Sequence, residues 1–199
     1  MTASPNPRIP ALYPVILPVP AEVSEFVPRD RVVFLSRHAR LALEKSAARS
    51  AIPMGELRQT ENGAPLPFGG TYWSISHKPC YVAGVVAPMP IGIDIEKIRP
   101  CAKGLFEKTA GQAEWALAKT GSDSLATFFR YWTAKEVVVK AAGTGLKDLL
   151  KCKIDTLIDE HHLTIRYAGK DWHIEHFFFD GHIASIMTAG RLIHWFVGE

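Results

Sequence analysis

The chain has 199 residues, 47% of them hydrophobic and 22% charged, with a formal net charge of +3. That is enough apolar chain for one large domain or two small ones, and it excludes a disordered protein. So small a net charge does not mark a nucleic-acid binder, and no nucleic-acid motif is recognised. The cysteines Cys80, Cys101 and Cys152 show no C-x-x-C spacing, which fits reduced thiols in a cytoplasmic protein and implies no zinc site.

In chain order, the first feature is an apolar run, "ALYPVILPVP", interrupted by Pro14, Pro18 and Pro20, with Arg8 the one charge before it. Neither a signal peptide nor a membrane helix is expected from it. Proline removes a ladder donor, so an extended, edge-like segment packed on the domain is expected instead. Residues 30–51 space their apolar positions like a helix, and Pro53 follows its end. From Arg29 to Arg49 six basic residues (Arg29, Arg31, Arg37, Arg40, Lys45, Arg49) stand against Asp30 and Glu44, a local +4. Such a helix either faces an anionic partner or is an ordinary solvated face, and charge counting leaves both open.

After the loop "ENGAPLPFGG", three strand-like runs follow, "TYWSISH", "YVAGVVA" and "IGIDIE", separated by Lys78-Pro79 and Pro88-Met89-Pro90. The second half is expected to repeat this order. Helical stretches lie near 104–119 and 123–142, and strand-like runs at "LTIRYA", "WHIEHFFFD", "HIASIMTAG" and "RLIHWFVG". Helix then strands, twice, predicts an α+β pseudo-dimer of two similar halves, each a small, mostly antiparallel sheet packed with a helix. The expected boundary lies near Pro100, dividing the chain into residues 1–99 and 100–199.

Two stretches carry chemistry. In "IGIDIEKI" (91–98) successive side chains of a strand point to opposite faces, so Ile91, Ile93 and Ile95 form one face and Gly92, Asp94 and Glu96 the other. Carboxylates side by side repel unless they hold a cation or face water, and Gly92 beside them is expected to leave room for a ligand. In "FFRYWTAKEVVVKAAGTGL" (128–146), Glu136 and Lys140 are four apart and share a helix face. An exposed pair of this kind is worth a few tenths of a kcal/mol, whereas a pair on an otherwise apolar helix is a candidate functional site. Asp94, Glu96 and Glu136 together supply the hard oxygens that Mg²⁺ prefers. Lys140 would neutralise a phosphate. The residues by themselves point as far as a Mg²⁺-dependent transferase or hydrolase acting on a phosphoester.

"SISH" at 74–77, "IGIDIEKIRP" at 91–100 and "RYWTAKEVVVKAAGTGL" at 130–146 resemble, in order and spacing, the motifs of the 4′-phosphopantetheinyl transferases. The match is to the monomeric surfactin-synthetase-activating type, whose D-x-E and W-x-x-K-E-x-x-x-K elements correspond to Asp94 and Glu96, and to Trp132, Lys135, Glu136 and Lys140. The resemblance implies transfer of 4′-phosphopantetheine from coenzyme A to a serine of an apo acyl or peptidyl carrier protein, with release of 3′,5′-ADP. It implies a cytoplasmic monomer with no nucleic-acid or membrane partner, serving fatty-acid, polyketide or non-ribosomal peptide biosynthesis. Asp94, Glu96 and Glu136 would hold Mg²⁺ (Mn²⁺ as the alternative). Glu136 would be the general base, and Lys140 would stabilise charge on the pyrophosphate. Ser76, His77, Asp94 and Lys140 would contact the coenzyme, and Arg40 its 3′-phosphate, with Arg37 and Arg49 as competitors. No role is assigned to Lys135, and Trp132 is expected to pack the helix. One departure stands out: the Gly-Lys-Pro element of many relatives reads Gly63-Ala64-Pro65 here, and Lys78 replaces a residue that is often small. Another Mg²⁺-dependent phosphoester enzyme on the same fold, or a silent carrier-binding module, are the rival readings.

Overall fold

The structure is a computed structural model that describes residues 10–61, 63–102, 104–118 and 123–198; Arg8 and the end of the helical stretch expected at 104–119 lie outside them. In chain order the strands are β1 (Ala11–Leu12), β2 (Val15–Pro18), β3 (Tyr72–His77), β4 (Tyr81–Ala87), β5 (Ile93–Lys97), β6 (Lys153–Leu157), β7 (His162–Tyr167), β8 (Lys170–Phe179), β9 (His182–Met187), β10 (Leu192–Ile193) and β11 (Phe196–Val197). The helices are α1 (Pro28–Arg49), α2 (Gly104–Thr109), α3 (Gln112–Trp115) and α4 (Ser124–Ala142). The protein is α+β. One sheet has the order β11-β2-β4-β3, a second has β5-β9-β8-β7-β6, and β1 pairs with β10.

Each long helix begins and ends where its sequence dictates. α1 opens with Pro28, whose missing N–H costs nothing in the first turn. Its buried residues Leu35, Ala39, Ala42, Leu43, Ser46 and Ala47 recur at three- and four-residue spacing and lie on the first sheet. α4 starts on Asp123, whose carboxylate accepts from the Leu125 N–H at 2.8 Å. It stops at Gly143, where φ is +69°; only glycine takes that left-handed conformation without strain. Val137, Val138 and Val139 are all buried in the main core cluster, and each contributes roughly 1.5–3 kcal/mol by burial.

Two glycines let helix and strand backbones touch. A Cβ on Gly84 of β4 would collide with the Leu43 backbone of α1, and one on Gly92, just before β5, with the Val137 carbonyl of α4. Gly92 was expected to leave space for a ligand. The space is taken by α4, whose backbone is pressed onto the strand carrying Asp94 and Glu96.

Five further details differ from the sequence reading. β5, grouped there with the first half, pairs along its whole length with β9 of the second sheet. The stretch near 104–119 breaks at Ala110-Gly111 into α2 and α3. β6 was not anticipated; Lys153 and Asp155 are exposed on a sheet edge, so its apolar signal is thin. The last run divides around His194-Trp195 into β10 and β11, and β11 returns to pair with β2. The proline-bounded N-terminal segment packs on the domain as expected, but β2 lies inside its sheet between β4 and the two-residue β11.

Candidate active site

The site begins with two serines. Ser74 and Ser76 point from β3 toward β5 and accept hydrogen bonds from the backbone N–H groups of Ile93 (3.1 Å) and Ile95 (3.3 Å). They thus tie together strands of different sheets. The isoleucine face behaves as its alternation requires: Ile91, Ile93 and Ile95 are all buried. Asp94 is also buried, at 2% exposure, and one of its oxygens, Oδ1, accepts from Ser76 Oγ at 2.8 Å and from Lys140 Nζ at 2.7 Å. Lys140 donates further to the Ile93 carbonyl at 3.0 Å. The other carboxylate oxygen, Oδ2, is buried with no hydrogen-bond partner. Such an orphan acceptor costs roughly 1–3 kcal/mol, and a hard cation would satisfy it.

Glu96, two residues on, is held by Lys78, with Nζ to Oε1 2.6 Å. Burial raises the pKa of Glu96, while Lys78 and the indole N–H of Trp132 draw it partly back. Burial opposes the charge of Lys78 as well, yet Asp94, Glu96 and Glu136 together keep its ammonium above the usual lysine value. Glu136, on α4, has its pKa pushed up to about 7, first by burial and then by the charge of Asp94, against the opposing pull of Lys140 and Lys78. His77 lies at the end of β3; partial burial, then Lys140 and Lys78, lower its pKa and favour the neutral imidazole.

Asp94, Glu96, Glu136, Lys140, Ser76, His77 and Lys78 therefore act on one another in one place. Among the described residues, however, no three His, Cys, Asp or Glu side chains stand close enough together to hold a metal ion. Two of the three acids are instead paired with lysines. The hard carboxylate set and the orphaned Asp94 Oδ2 fit a divalent cation chemically.

A cleft of about 600 Å³ opens beside the acids. Glu136 and Lys140 line it from α4, Gly143 from its end, and Gly63 and Ala64 from the loop before β3. Thr144 and the exposed Lys147 complete this wall. Sequence reasoning had not singled out either; the turn-forming Gly143 and Gly145, with φ of +69° and +73°, were the available signal.

Arg40 is exposed on α1. Its neighbour His38 bonds the Pro18 carbonyl at 2.8 Å, and Leu43 abuts Gly84. Pro18 pairs with Tyr81, and His77 with Val82, so this part of α1 lies over the end of the sheet that carries His77. Arg49 is at the other end of the helix, stacked 3.6 Å over the Phe196 ring.

The remaining motif lysine turns the other way. Lys135 is fully buried and donates to Glu114 Oε1 at 2.6 Å and to the Thr109 carbonyl at 2.7 Å. Glu114 also accepts from the Gly111 and Ile154 N–H groups, both at 2.9 Å. The ion pair therefore fastens α4 to α2, α3 and β6. On its second-sheet side, α4 is held by Thr133 Oγ1, 2.6 Å from Ser185 Oγ, which in turn meets His176 Nδ1 at 2.7 Å. Ser185 is the cross-strand partner of Asp94. Burial drives the pKa of His176 far down, so this link is neutral. Trp132 packs beside Phe128 as expected, while its indole N–H also reaches the Glu96 environment.

Comparison with known proteins agrees with the motifs. The family model described as the 4′-phosphopantetheinyl transferase superfamily matches residues 90–187. The chain is 30% identical over 122 residues to the 4′-phosphopantetheinyl transferase psf-1 of Bacillus pumilus, an alignment covering 58% of this chain and 52% of that protein. It is 32% identical over 91 residues to the transferase gsp of Aneurinibacillus migulanus (45% and 38% of the two chains). It is 32% identical over 77 residues to the transferase Sfp of Bacillus subtilis (38% and 34%). The matched part thus spans about half or less of the length of these relatives. The family match covers α4 and the whole second sheet, β5 included; β5 and α4 supply Asp94, Glu96, Glu136 and Lys140. Over residues 90–187, just under half of its length, the chain is thus similar to the 4′-phosphopantetheinyl transferase superfamily.

Proposed function

We propose that the protein transfers 4′-phosphopantetheine from coenzyme A to a serine of an apo acyl or peptidyl carrier protein and releases 3′,5′-ADP, as a transferase of the surfactin-synthetase-activating type. The observation that carries this reading is the buried Asp94 carboxylate, half satisfied by Ser76 and Lys140 and half orphaned, at the edge of a cleft that Glu136 and Lys140 line. Mg²⁺, or Mn²⁺ in its place, would be held by Asp94, Glu96 and Glu136 and would supply Lewis-acid stabilisation of the pyrophosphate.

The chain's own residues do the rest. Glu136, whose carboxyl is pushed up to about 7 by burial and Asp94 in the metal-free protein, would take the serine hydroxyl proton as general base. The serine oxygen forms a bond to the β-phosphorus of coenzyme A as the bond from that phosphorus to the bridging oxygen breaks, and the electron pair leaves on 3′,5′-ADP. Lys140, anchored on Asp94 and the Ile93 carbonyl, presents positive charge to the leaving pyrophosphate oxygen. Neutral His77 donates toward the coenzyme phosphates; Ser76, expected from the motif to contact the coenzyme, has its one O–H committed to Asp94 and acts by holding that carboxylate. Arg40 or Arg37, over the same end of the sheet as His77, binds the 3′-phosphate; Arg49 is committed to Phe196 at the far end.

The helix-on-sheet unit occurs twice, α1 on β2–β4–β3 and α4 on β5–β9–β8, each with a glycine at its closest backbone approach. This supports the pseudo-dimer reading, with the site at the junction. Among the described residues no helix is long and apolar enough to cross a membrane. A monomer in the cytoplasm, with coenzyme A and a carrier protein as partners, completes the proposal.

The test is incubation with coenzyme A, Mg²⁺ and an apo carrier protein, read by intact mass. A phosphopantetheine adduct is expected, and Asp94→Ala should reduce its rate at least about 10²-fold while leaving the protein folded. No adduct on carriers that a control transferase modifies, or near-normal turnover by Asp94→Ala, would overturn the reading.

A further inference from the structure

Lys78 is a charged member of the acid cluster that lies outside the motifs resembling the transferases. Its backbone is fixed, since its N–H bonds the Tyr81 carbonyl at 2.8 Å across the β3–β4 turn and Pro79 follows. Its side chain is not: Nζ sits at the end of a flexible four-carbon stem, one third exposed, 2.6 Å from Glu96 Oε1. The ammonium also feels Asp94 and Glu136 and acts on His77. It thus lies among the acids proposed to bind a divalent cation and beside the histidine proposed to meet a phosphate.

We propose that Lys78 is an internal counter-ion that exchanges partners: it neutralises Glu96 when no dication is bound, and it moves onto a phosphate oxygen of the coenzyme when metal and substrate enter. The inference rests on the transferase reading and extends it to a residue outside the family motifs. Electrostatics requires the exchange. Three partly buried carboxylates repel one another, so without a metal a lysine on Glu96 lowers the cost of keeping them together. Once a dication sits on the same acids it repels an ammonium 2.6 Å from Glu96, so the Lys78–Glu96 contact loses most of its electrostatic advantage. The nearest strong acceptors are then the phosphates, which would bring as much negative charge as the lysine leaves behind. Lys78 would thereby supply the contact that Ala64 cannot.

Two opposite effects of one substitution follow. In protein without coenzyme A, Lys78→Met removes the competitor for Glu96 and should tighten Mn²⁺ binding roughly tenfold, measured by the loss of the free-ion paramagnetic resonance signal. In the transfer assay the same variant should raise the KM for coenzyme A roughly tenfold. In a Glu96→Gln background the Mn²⁺ effect should vanish, because no acid remains for the lysine to hold. Unchanged or weaker Mn²⁺ binding by Lys78→Met, or the same gain in the Glu96→Gln background, would overturn the exchange while leaving the transferase reading in place. If the wild type and Lys78→Met both bind no Mn²⁺, or if Asp94→Ala binds it as well as wild type, the exchange and the metal site beneath it both fail.

Discussion

The two sides of α4 carry the same chemistry and use it differently. On one side Lys135 and Glu114 form a fully buried ion pair whose remaining hydrogen bonds are all made by fixed groups, two backbone N–H groups and a backbone carbonyl. On the other side Lys140 and Asp94 are just as close, but Lys140 is 28% exposed at the rim of a cleft and one oxygen of Asp94 is left without a partner. A closed pair has no capacity for a ligand and can serve only to hold elements together. An incomplete pair at an opening can change partners, which a binding site needs. Sequence spacing places Lys135, Glu136 and Lys140 in one motif, and the difference lies in what surrounds each.

The sharpest way to break this comparison is to remove each lysine. Lys135→Met strands Glu114 as a buried charge and should cost about 3–5 kcal/mol of stability, seen as a lowered denaturation midpoint, with much of the loss restored when Glu114→Gln is added. Lys140→Met also leaves the buried Asp94 without its cation, but Ser76 remains and the opening admits water, so it should cost less stability than Lys135→Met, yet slow transfer about 10²-fold or more. If the stability losses were equal, the closed and open pairs would not differ as described.

A smaller effect concerns Glu136. A carboxyl with its folded pKa raised to about 7 binds more protons in the folded than in the unfolded chain between its ordinary value and 7. Stability of the metal-free protein therefore falls as pH rises through that window and stays reduced above it. Glu136→Gln should be more stable than wild type at pH 8 by up to about 2 kcal/mol after allowance for solvent screening, and the advantage should disappear below about pH 4.5. Denaturant titrations of both proteins at pH 4 and pH 8, in chelator, measure this. A wild type whose stability rises from pH 5 to 8 relative to the variant would contradict the environment assigned to Glu136.

The smallest effect separates the arginines. Arg40→Ala should raise the KM for coenzyme A about five- to tenfold, the worth of one exposed charge contact to phosphate, whereas Arg49→Ala should leave it within about twofold. Equal effects would mean that the position of α1 over the His77 end of the sheet does not decide which arginine meets the coenzyme.

Much of this was readable from residue order. Periodicity alone placed α1, α4, β3, β4, β5 and β7–β9, because helix and strand patterns are properties of neighbours within four residues. Alternation put Ile91, Ile93 and Ile95 in the core, and helical spacing put Glu136 and Lys140 on one face. The motif resemblance then joined strand and helix into one candidate site, and in the structure Lys140 of the helix meets Asp94 of the strand. Tertiary structure alone decided the rest. Gly92 looked like room for a ligand beside two acids, and whether that room is empty depends on Val137, 45 positions away on a helix that packs against it. The sheet that receives β5, the turning of Lys135 toward Glu114, the capture of Glu96 by Lys78 and the lie of α1 over the His77 end of its sheet are likewise features that local pattern does not encode. The physical reason is one of range: local sequence sets which face a side chain occupies, but the charge, carbonyl or void opposite that face is supplied by another element, and only packing brings it there.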